Sequence, residues 1–404
     1  MNDPPRPIRQ RLVTFLGLER NVSVLLGALV LLGLGEELWV SFVPKYLEAL
    51  GAGAFVWAAY RTLKDVLDAL YQYPGGILTD RLGRRRALVL FNLLAILGYV
   101  MYLLSRSWPP VLLGTLFVAA WGSMSLPATF AVIGDSLARS RRAIGFSVES
   151  IVKRLPIVVA PVLGGWLLQR YGVVQGFRVG LGITIALATG ALWFQQKFYV
   201  EKPSERPPRP SGILATFRAF DPGLKRLLVS DVLARFAEGM PAALIVIYAT
   251  TNLGATVAFF GSLRGLQMLT AIVLYIPAAK LAERWGQRPF IILTFCFFAL
   301  LPLAFALFAL GPQEHVATFL ILAFMIAGLR EIGEPARKGL ITDLAGEERR
   351  GEAVGVYYLI RGFCVAAAPL LGAALWRISP ALTFGVAALF GVAGVIWYIW
   401  RGPG

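Results

Sequence analysis

Cysteine and histidine are almost absent from this chain, with two cysteines and one histidine in 404 residues. Cys296 and Cys364 both fall inside apolar stretches and read as packing residues, so neither a disulfide framework nor a zinc site is expected. The single His315 sits at the edge of an apolar run, which leaves no imidazole deep inside one to relay protons and hands any such role to carboxylates. Charge is scarce as well, at 15% of residues, and acid is the scarcer sign: 23 Asp and Glu against 39 Lys and Arg. No phosphate-cradling glycine loop, metal-ligand spacing or Ser/His/Asp set occurs, so no enzyme, metal or cofactor is expected.

What is abundant is apolar surface. At 57% hydrophobic residues and a mean hydropathy of +0.68, the chain cannot be wrapped into a soluble globule, and the bilayer is its solvent. Apolar runs of membrane-spanning length fall at 22–48, 55–82, 86–105, 109–138, 144–169, 173–197, 225–250, 256–284, 288–310, 314–344, 352–376 and 379–400. These define spans 1 to 12 of an all-α membrane protein. One long polar interruption, carrying EKPSERPPRPSG, separates the sixth span from the seventh and has too little apolar surface to fold alone. The expected organisation is a six-helix bundle over 1–198, a linker over 199–224 and a second six-helix bundle over 225–404.

The two halves repeat. Gly51, Arg61, Pro74, Asp80, Arg81, Gly83 and Arg85 match Gly254, Arg264, Pro277, Glu283, Arg284, Gly286 and Arg288 at a constant offset. Five residues further on in offset, Pro127, Asp135, Arg141, Arg142, Pro161 and Gly164 match Pro335, Asp343, Arg349, Arg350, Pro369 and Gly372. Repeats in the same order argue for two bundles related by a pseudo-two-fold axis along the membrane normal, as in alternating-access proteins.

A formal charge of +16 invites a nucleic-acid reading, but the basic residues follow loop parity instead of forming one patch. They crowd the N-terminal arm, the loops after spans 2, 4, 8 and 10, and the linker, while the alternate loops hold little beyond Arg106, Arg170 and Arg377. By the positive-inside rule both termini and the linker are cytoplasmic. The excess charge then serves topology and attraction to anionic lipids, and nucleic acid is excluded as a partner. The apolar run behind the N-terminal arm is too long for a signal-peptide core, so span 1 is expected to remain as an anchor.

A charged side chain at mid-bilayer costs at least ~2.5–3.5 kcal/mol on insertion scales and persists only when paired or facing a watery cavity. Six pairs at helical spacing can neutralise themselves: Arg61–Asp65, Lys64–Asp68, Glu149–Lys153, Asp231–Arg235, Arg330–Glu334 and Glu334–Lys338. Glu36, Glu37, Glu238, Arg264, Glu331 and Arg361 have no evident partner on their own helix; together with Asp68 and Arg330 they are the candidate substrate and proton-coupling residues. Glu36 and Glu37 lie about 100° apart on a helix, so one of them faces a cavity. The competing role for Glu37 is a packing strut tied to Arg61 or Arg361. The nearby aromatics Trp39, Phe42, Tyr46, Trp57, Tyr60, Tyr357 and Tyr358 are candidates for an apolar cavity wall; of these, Trp57 and Tyr60 fit an interfacial belt better, and Tyr357 and Tyr358 fit the cavity wall. Prolines 74, 127, 156, 161, 241, 277, 302, 335 and 369 are candidate bend points.

The run Gly76-x-x-x-Asp80-Arg81-x-Gly83-Arg84-Arg85 resembles the loop 2–3 signature of the major facilitator superfamily, and Glu283, Arg284 and Gly286 form its degenerate copy. The resemblance covers nearly the whole chain at the level of architecture. It implies a cytoplasmic gate loop that latches the two bundles while the protein opens outward. Ala160-Pro161-Val162-Leu163-Gly164-Gly165 is similar in part to a span 5 motif of that family's drug:proton antiporters, with Pro161, Gly164 and Gly165 carrying the match. Span 4 lacks the arginine those antiporters place there, and the Pro-Glu-Ser-Pro-Arg run of sugar porters is missing. The resemblance implies a monomeric secondary transporter of the plasma (inner) membrane. Its partners are a small-molecule substrate, a coupling proton and membrane lipids. The expected activity is proton-coupled export of amphipathic or cationic small molecules. Uptake or flipping of an anionic or zwitterionic substrate such as a lysolipid, and a non-transporting scaffold or receptor, are the alternatives.

Overall fold

A computed structural model of the chain describes residues 20–125, 129, 132, 139–200, 212–345 and 350–403. Helix accounts for nearly all of them, and no strand occurs among the described residues. Among the described residues, seven helices are long and apolar enough to cross a membrane: Arg20–Ala49, Arg84–Leu104, Val173–Phe198, Val257–Leu274, Arg288–Leu310, Ala353–Trp376 and Pro380–Arg401. Spans 4 and 10 contribute the shorter apolar helices Trp108–Met124 and Val316–Leu329. Spans 2, 5 and 7 complete the two six-helix bundles as Ala54–Leu82, Arg139–Tyr171 and Pro222–Asn252, each diluted by the charges that make it informative.

The repeat seen in the sequence reappears as repeated physics. Gly51 and Gly254 take φ of 84° and 70°, and Gly83 and Gly286 both take 85°, so the matched glycines sit at turns that a Cβ would strain. Arg85 donates to the carbonyl of Gln196, and its counterpart Arg288 donates to that of Ile399, so each half uses one arginine to cap the end of its last span. Gly164 lies where an added Cβ would come within 1.8 Å of the Leu38 carbonyl oxygen, and Gly372 within 2.1 Å of the Met240 oxygen. Thus span 5 presses on span 1 as span 11 presses on span 7.

Breaks in the helices are not spread evenly. Span 1 stops at Glu37 and resumes through a 3-10 turn at Val40–Phe42, span 2 is interrupted at Tyr71, span 4 carries a π-turn at Ala120–Met124, span 7 opens at 240–244, span 10 opens at 330–333, and span 11 is interrupted at 366–367. Spans 3, 6, 9 and 12 run unbroken. Freed backbone groups in a bilayer survive only where protein or a watery cavity satisfies them, so the broken spans mark the interior of the assembly. The prolines are imperfect guides to these breaks: Pro241, Pro335 and Pro369 stand beside them, but Pro156, Pro161, Pro277 and Pro302 lie inside continuous helices, and Pro127 lies outside the described residues. A proline costs one backbone bond, which neighbouring helices absorb.

The halves meet along span 5 against span 8 and span 2 against span 11. A cross-half aromatic contact, Phe42 to Phe260 at 5.9 Å, and bonds from Lys45 to Thr251 (2.7 Å) and Thr251 to Glu48 (3.2 Å) close the end of the bundle that carries loops 1–2 and 7–8. The largest apolar core runs through both halves and takes in Trp39, Phe42, Phe260 and Phe324, while a second core under the opposite end draws only on the second half.

Four expectations need correction here. Trp57 and Tyr60 are buried at 7% and 5% exposure, not interfacial, because a tryptophan near a helix end looks the same in sequence whether it faces headgroups or a neighbouring helix. Trp39 and Tyr46 pack in the first half, bonding to Thr184 and to the Tyr102 carbonyl, and do not line a cavity. Cys296 and Cys364 are free and exposed on helices of an apolar bundle, where a small thiol is at home without packing. The linker, expected to carry no structure of its own, forms a short helix at Ile213–Arg218 before Pro222, because Ile213, Leu214 and Phe217 return apolar residues to it; its charged part, 201–211, lies outside the described residues.

Candidate functional site: intramembrane charges between the halves

Where a helix is continuous, the charge pairing read from helical spacing holds. Arg61 meets Asp65 at 3.1 Å, Lys64 meets Asp68 at 2.7 Å, and Lys153 pairs with Glu149. Ser123, in the π-turn of span 4, donates to the second Asp68 oxygen at 2.5 Å. Asp68 is thereby held between two spans of the first half.

In span 10 the helical spacing fails. The turn at Arg330–Gly333 rotates Arg330 away from Glu334, and Arg330 instead reaches Glu238 of span 7 at 3.2 Å. Glu334 does not depend on Lys338 for neutralisation, since its carboxylate takes Arg337 at 2.6 Å and Arg235 of span 7. Asp231 is wholly buried and receives Arg337 at 2.6 Å, the Tyr357 hydroxyl at 3.0 Å and Arg361 at 3.4 Å; the same-helix Arg235 stands off at 3.9 Å. Arg235 and Arg330 both lie over the Phe298 ring, at 4.8 and 5.1 Å, and Arg361 lies over Tyr358 at 4.5 Å. Spans 7, 10 and 11 are thus tied by one buried network. Glu238, expected to lack a partner on its own helix, has Arg235 one turn back at 2.9 Å. These links join residues about a hundred positions apart, and only Tyr357, one turn from Arg361, offered a hint in the sequence.

The remaining charges divide between the interior of the first half and contacts that reach across the halves. Glu36 accepts the Tyr99 hydroxyl at 2.5 Å and so turns into the first half. Glu37, the last helical residue before the break in span 1, makes no hydrogen bond or ion pair with a described residue; Arg264 and Lys64 are the cations whose charges act on it, and neither Arg61 nor Arg361 is tied to it. Arg264 donates to Gln267 at 2.6 Å and has no carboxylate in ion-pair range among the described residues. Arg154 of span 5 reaches Glu331 of span 10 at 4.0 Å, a pair that crosses the halves. Glu238 and Arg330 line a small cavity together with Phe298, Leu301, Pro302, Phe305 and Phe384.

Of the gate-loop residues, Arg81 and Arg284 are exposed, Arg84 is buried at 7%, and Gly83 and Gly286 make the positive-φ turns. The surroundings of Gly76 and the side chains of Asp80 and Glu283 lie outside the described residues, so the latch expected of Asp80 is not placed. In span 5, Gly164 serves its own half. Gly165 and Pro161 serve the other: a Cβ on Gly165 would meet the Val257 oxygen at 2.7 Å, and one on Gly261 the Pro161 oxygen at 2.2 Å. Gly164→Ala is therefore expected to lower the melting temperature, because both clashing groups belong to one bundle. Gly261→Ala is expected to leave it near the parent value while widening the gap between Lys45 and Thr251, because rigid halves relieve that clash by rocking apart. Spin-label distances across that pair, unchanged in Gly261→Ala, would contradict this division.

Two six-helix halves with broken helices and charges converging at mid-depth define a membrane transporter of the alternating-access kind. The family model described as Major Facilitator Superfamily matches residues 25–228 and again 227–404, and the chain belongs to that family. It is 24% identical over 392 residues to an uncharacterised MFS-type transporter of Methanocaldococcus jannaschii, covering 91% of each chain. It is 23% identical over 379 residues to the class B tetracycline resistance protein of Escherichia coli, covering 88% of this chain and 92% of that one. Among solved structures, a POT family transporter in complex with 5-aminolevulinic acid superposes with a TM-score of 0.80 at 14% identity, over 95% of this chain and 96% of the other.

Proposed function

We propose that this protein is a proton-coupled secondary transporter that exports amphipathic or cationic small molecules, with Glu37 as the acid that carries the coupling proton. The observation that carries the reading is the carboxylate of Glu37 at the break of span 1, which has no ion pair or hydrogen bond among the described residues, whereas the other deep acids among them are held by cations or hydroxyls. An acid without a fixed cation can lose and regain a proton as the surrounding cavity opens and closes, whereas Asp231 and Glu334 stay anionic while their arginines remain. The similarity to a tetracycline resistance protein supports export. Arg264, without an acid partner among the described residues, supports the second reading, uptake or flipping of an anionic or zwitterionic substrate. A scaffold has no use for an unneutralised acid and base at this depth.

The proposed organisation keeps the bundles 1–198 and 225–404 on either side of the 199–224 linker, and the protein acts as a monomer in the inner membrane with both termini cytoplasmic. Closure at the loop 1–2 end then makes this a cytoplasm-facing state. Gly53→Cys is expected to react with impermeant thiol reagents only from outside, and Leu214→Cys only from the cytoplasm. Reaction of Gly53→Cys from the cytoplasmic side would reverse the orientation. The transport reading is tested in proteoliposomes carrying a pH gradient, with tetracycline and amphipathic cations offered in parallel. Gradient-dependent accumulation is the expected result, and no movement of any compound by well-folded protein would sink it.

A further inference from the structure

We infer that Glu37 and Arg264 together form the polar anchor of the substrate site, and that the chemistry they select is a zwitterion with an apolar body. This narrows the transporter reading above and rests on it.

Most charges in the spans are already answered. Arg61, Lys64 and Lys153 each hold a carboxylate one turn away. Asp231, Glu238 and Glu334 are held by four arginines. Glu331 has Arg154, and Glu36 has the Tyr99 hydroxyl. Among the described residues, Asp343 at the end of span 10 also lacks an ion pair and a hydrogen bond, and Arg178 and Arg288 near span ends meet only backbone carbonyls; away from the span ends this leaves one acid with neither, Glu37, and one arginine with only an amide for company, Arg264.

Their placement is not scattered. Leu38, the residue after Glu37, rests on Gly164, and Gly261, one turn before Arg264, rests on Pro161 and Gly165. The two opposite charges therefore flank the same turn of span 5, one from each half of the protein. Each acts electrostatically on the other, yet no ion pair joins them. Glu238 and Arg330, which line the apolar cavity with Phe298, Phe305 and Phe384, also act on Arg264 through their charges.

A ligand bearing only a cation satisfies Glu37 and leaves Arg264 desolvated without a counter-charge. A ligand bearing only an anion answers Arg264 but forgoes the ion pair that Glu37 can make once its proton leaves. The cation-only ligand carries the penalty of an uncompensated ion in a low-dielectric site, the anion-only ligand loses a charge-assisted contact, and a zwitterion avoids both. Because its two ends are held by different halves, such a ligand also draws the halves together as it binds.

The test uses the purified full chain in detergent and reads ligand-induced thermal stabilisation. The probes are biphenylalanine, its methyl ester (cation only) and its N-acetyl derivative (anion only), with the same three forms of 2-aminotetradecanoic acid. The zwitterions are expected to bind about tenfold or more tightly than either singly charged form, the scale of one charge-assisted hydrogen bond. Arg264→Gln should bring zwitterion and ester to equal affinity, and Glu37→Gln should bring zwitterion and N-acetyl form to equal affinity. Arg264→Lys, which keeps the charge, should retain the preference and serves if the glutamine variant does not fold. Esters binding as tightly as zwitterions in the parent, or no zwitterion-selective stabilisation in either series, overturns the inference. If the esters are nonetheless accumulated under a pH gradient, export of cations stands and only the zwitterion assignment falls.

Discussion

Glu37→Gln is expected to abolish accumulation of substrate against its gradient while leaving downhill exchange at least partly intact. The amide imitates a carboxyl that never releases its proton, so the two halves still move around the ligand but no longer exchange a proton for it. Because Glu37 has no ion pair among the described residues to break, the variant should express and melt close to the parent. Glu238→Gln separates the roles. Glu238 is gripped by Arg235 at 2.9 Å and Arg330 at 3.2 Å, so losing its charge strands two cations and should depress stability together with every mode of transport. Loss of stability in Glu37→Gln as large as in Glu238→Gln would make Glu37 a strut.

The largest stability effect is expected at Arg337. Its guanidinium is 2% exposed and bridges the fully buried Asp231 and the 5%-exposed Glu334, so Arg337→Gln leaves two carboxylates facing each other's surroundings with only Arg235, Arg361 and Tyr357 to share. Breaking one partner of a buried pair costs ~3–5 kcal/mol. Unfolding of the variant in mild detergent should occur at markedly lower temperature, and partial recovery is expected in Arg337→Gln with Asp231→Asn, which removes the stranded charge. A single variant as stable as the parent would show that the network is not neutralised as the distances indicate.

How much of this was legible in the sequence divides along a physical line. Turns set by one residue repeat faithfully, so the Gly51/Gly254 and Gly83/Gly286 matches foretold positive-φ turns in both halves. Helical spacing foretold Arg61–Asp65 and Lys64–Asp68, because those helices continue. It failed at Arg330–Glu334, where the turn at Arg330–Gly333 intervenes; Pro335 marks a bend there, but a proline does not tell which charge pairs the bend separates. Long-range choices were out of reach: nothing local tells Arg337 to prefer Asp231 of span 7, or Glu36 to take Tyr99 of span 3. Gly164 shows the converse hazard. It was read for its likeness to an antiporter motif, yet Gly372 makes the same contact in the other half, so the close approach of spans 5 and 1 accounts for it without reference to substrate.

The central claim is that binding of substrate and loss of a proton from Glu37 are one coupled equilibrium. Weakly buffered, purified protein mixed with a saturating transported ligand, with a pH indicator in solution, reads that coupling without a membrane or a gradient. The parent is expected to release protons on ligand addition, and Glu37→Gln is expected to bind the ligand and release none. Equal proton release by parent and Glu37→Gln would contradict the account.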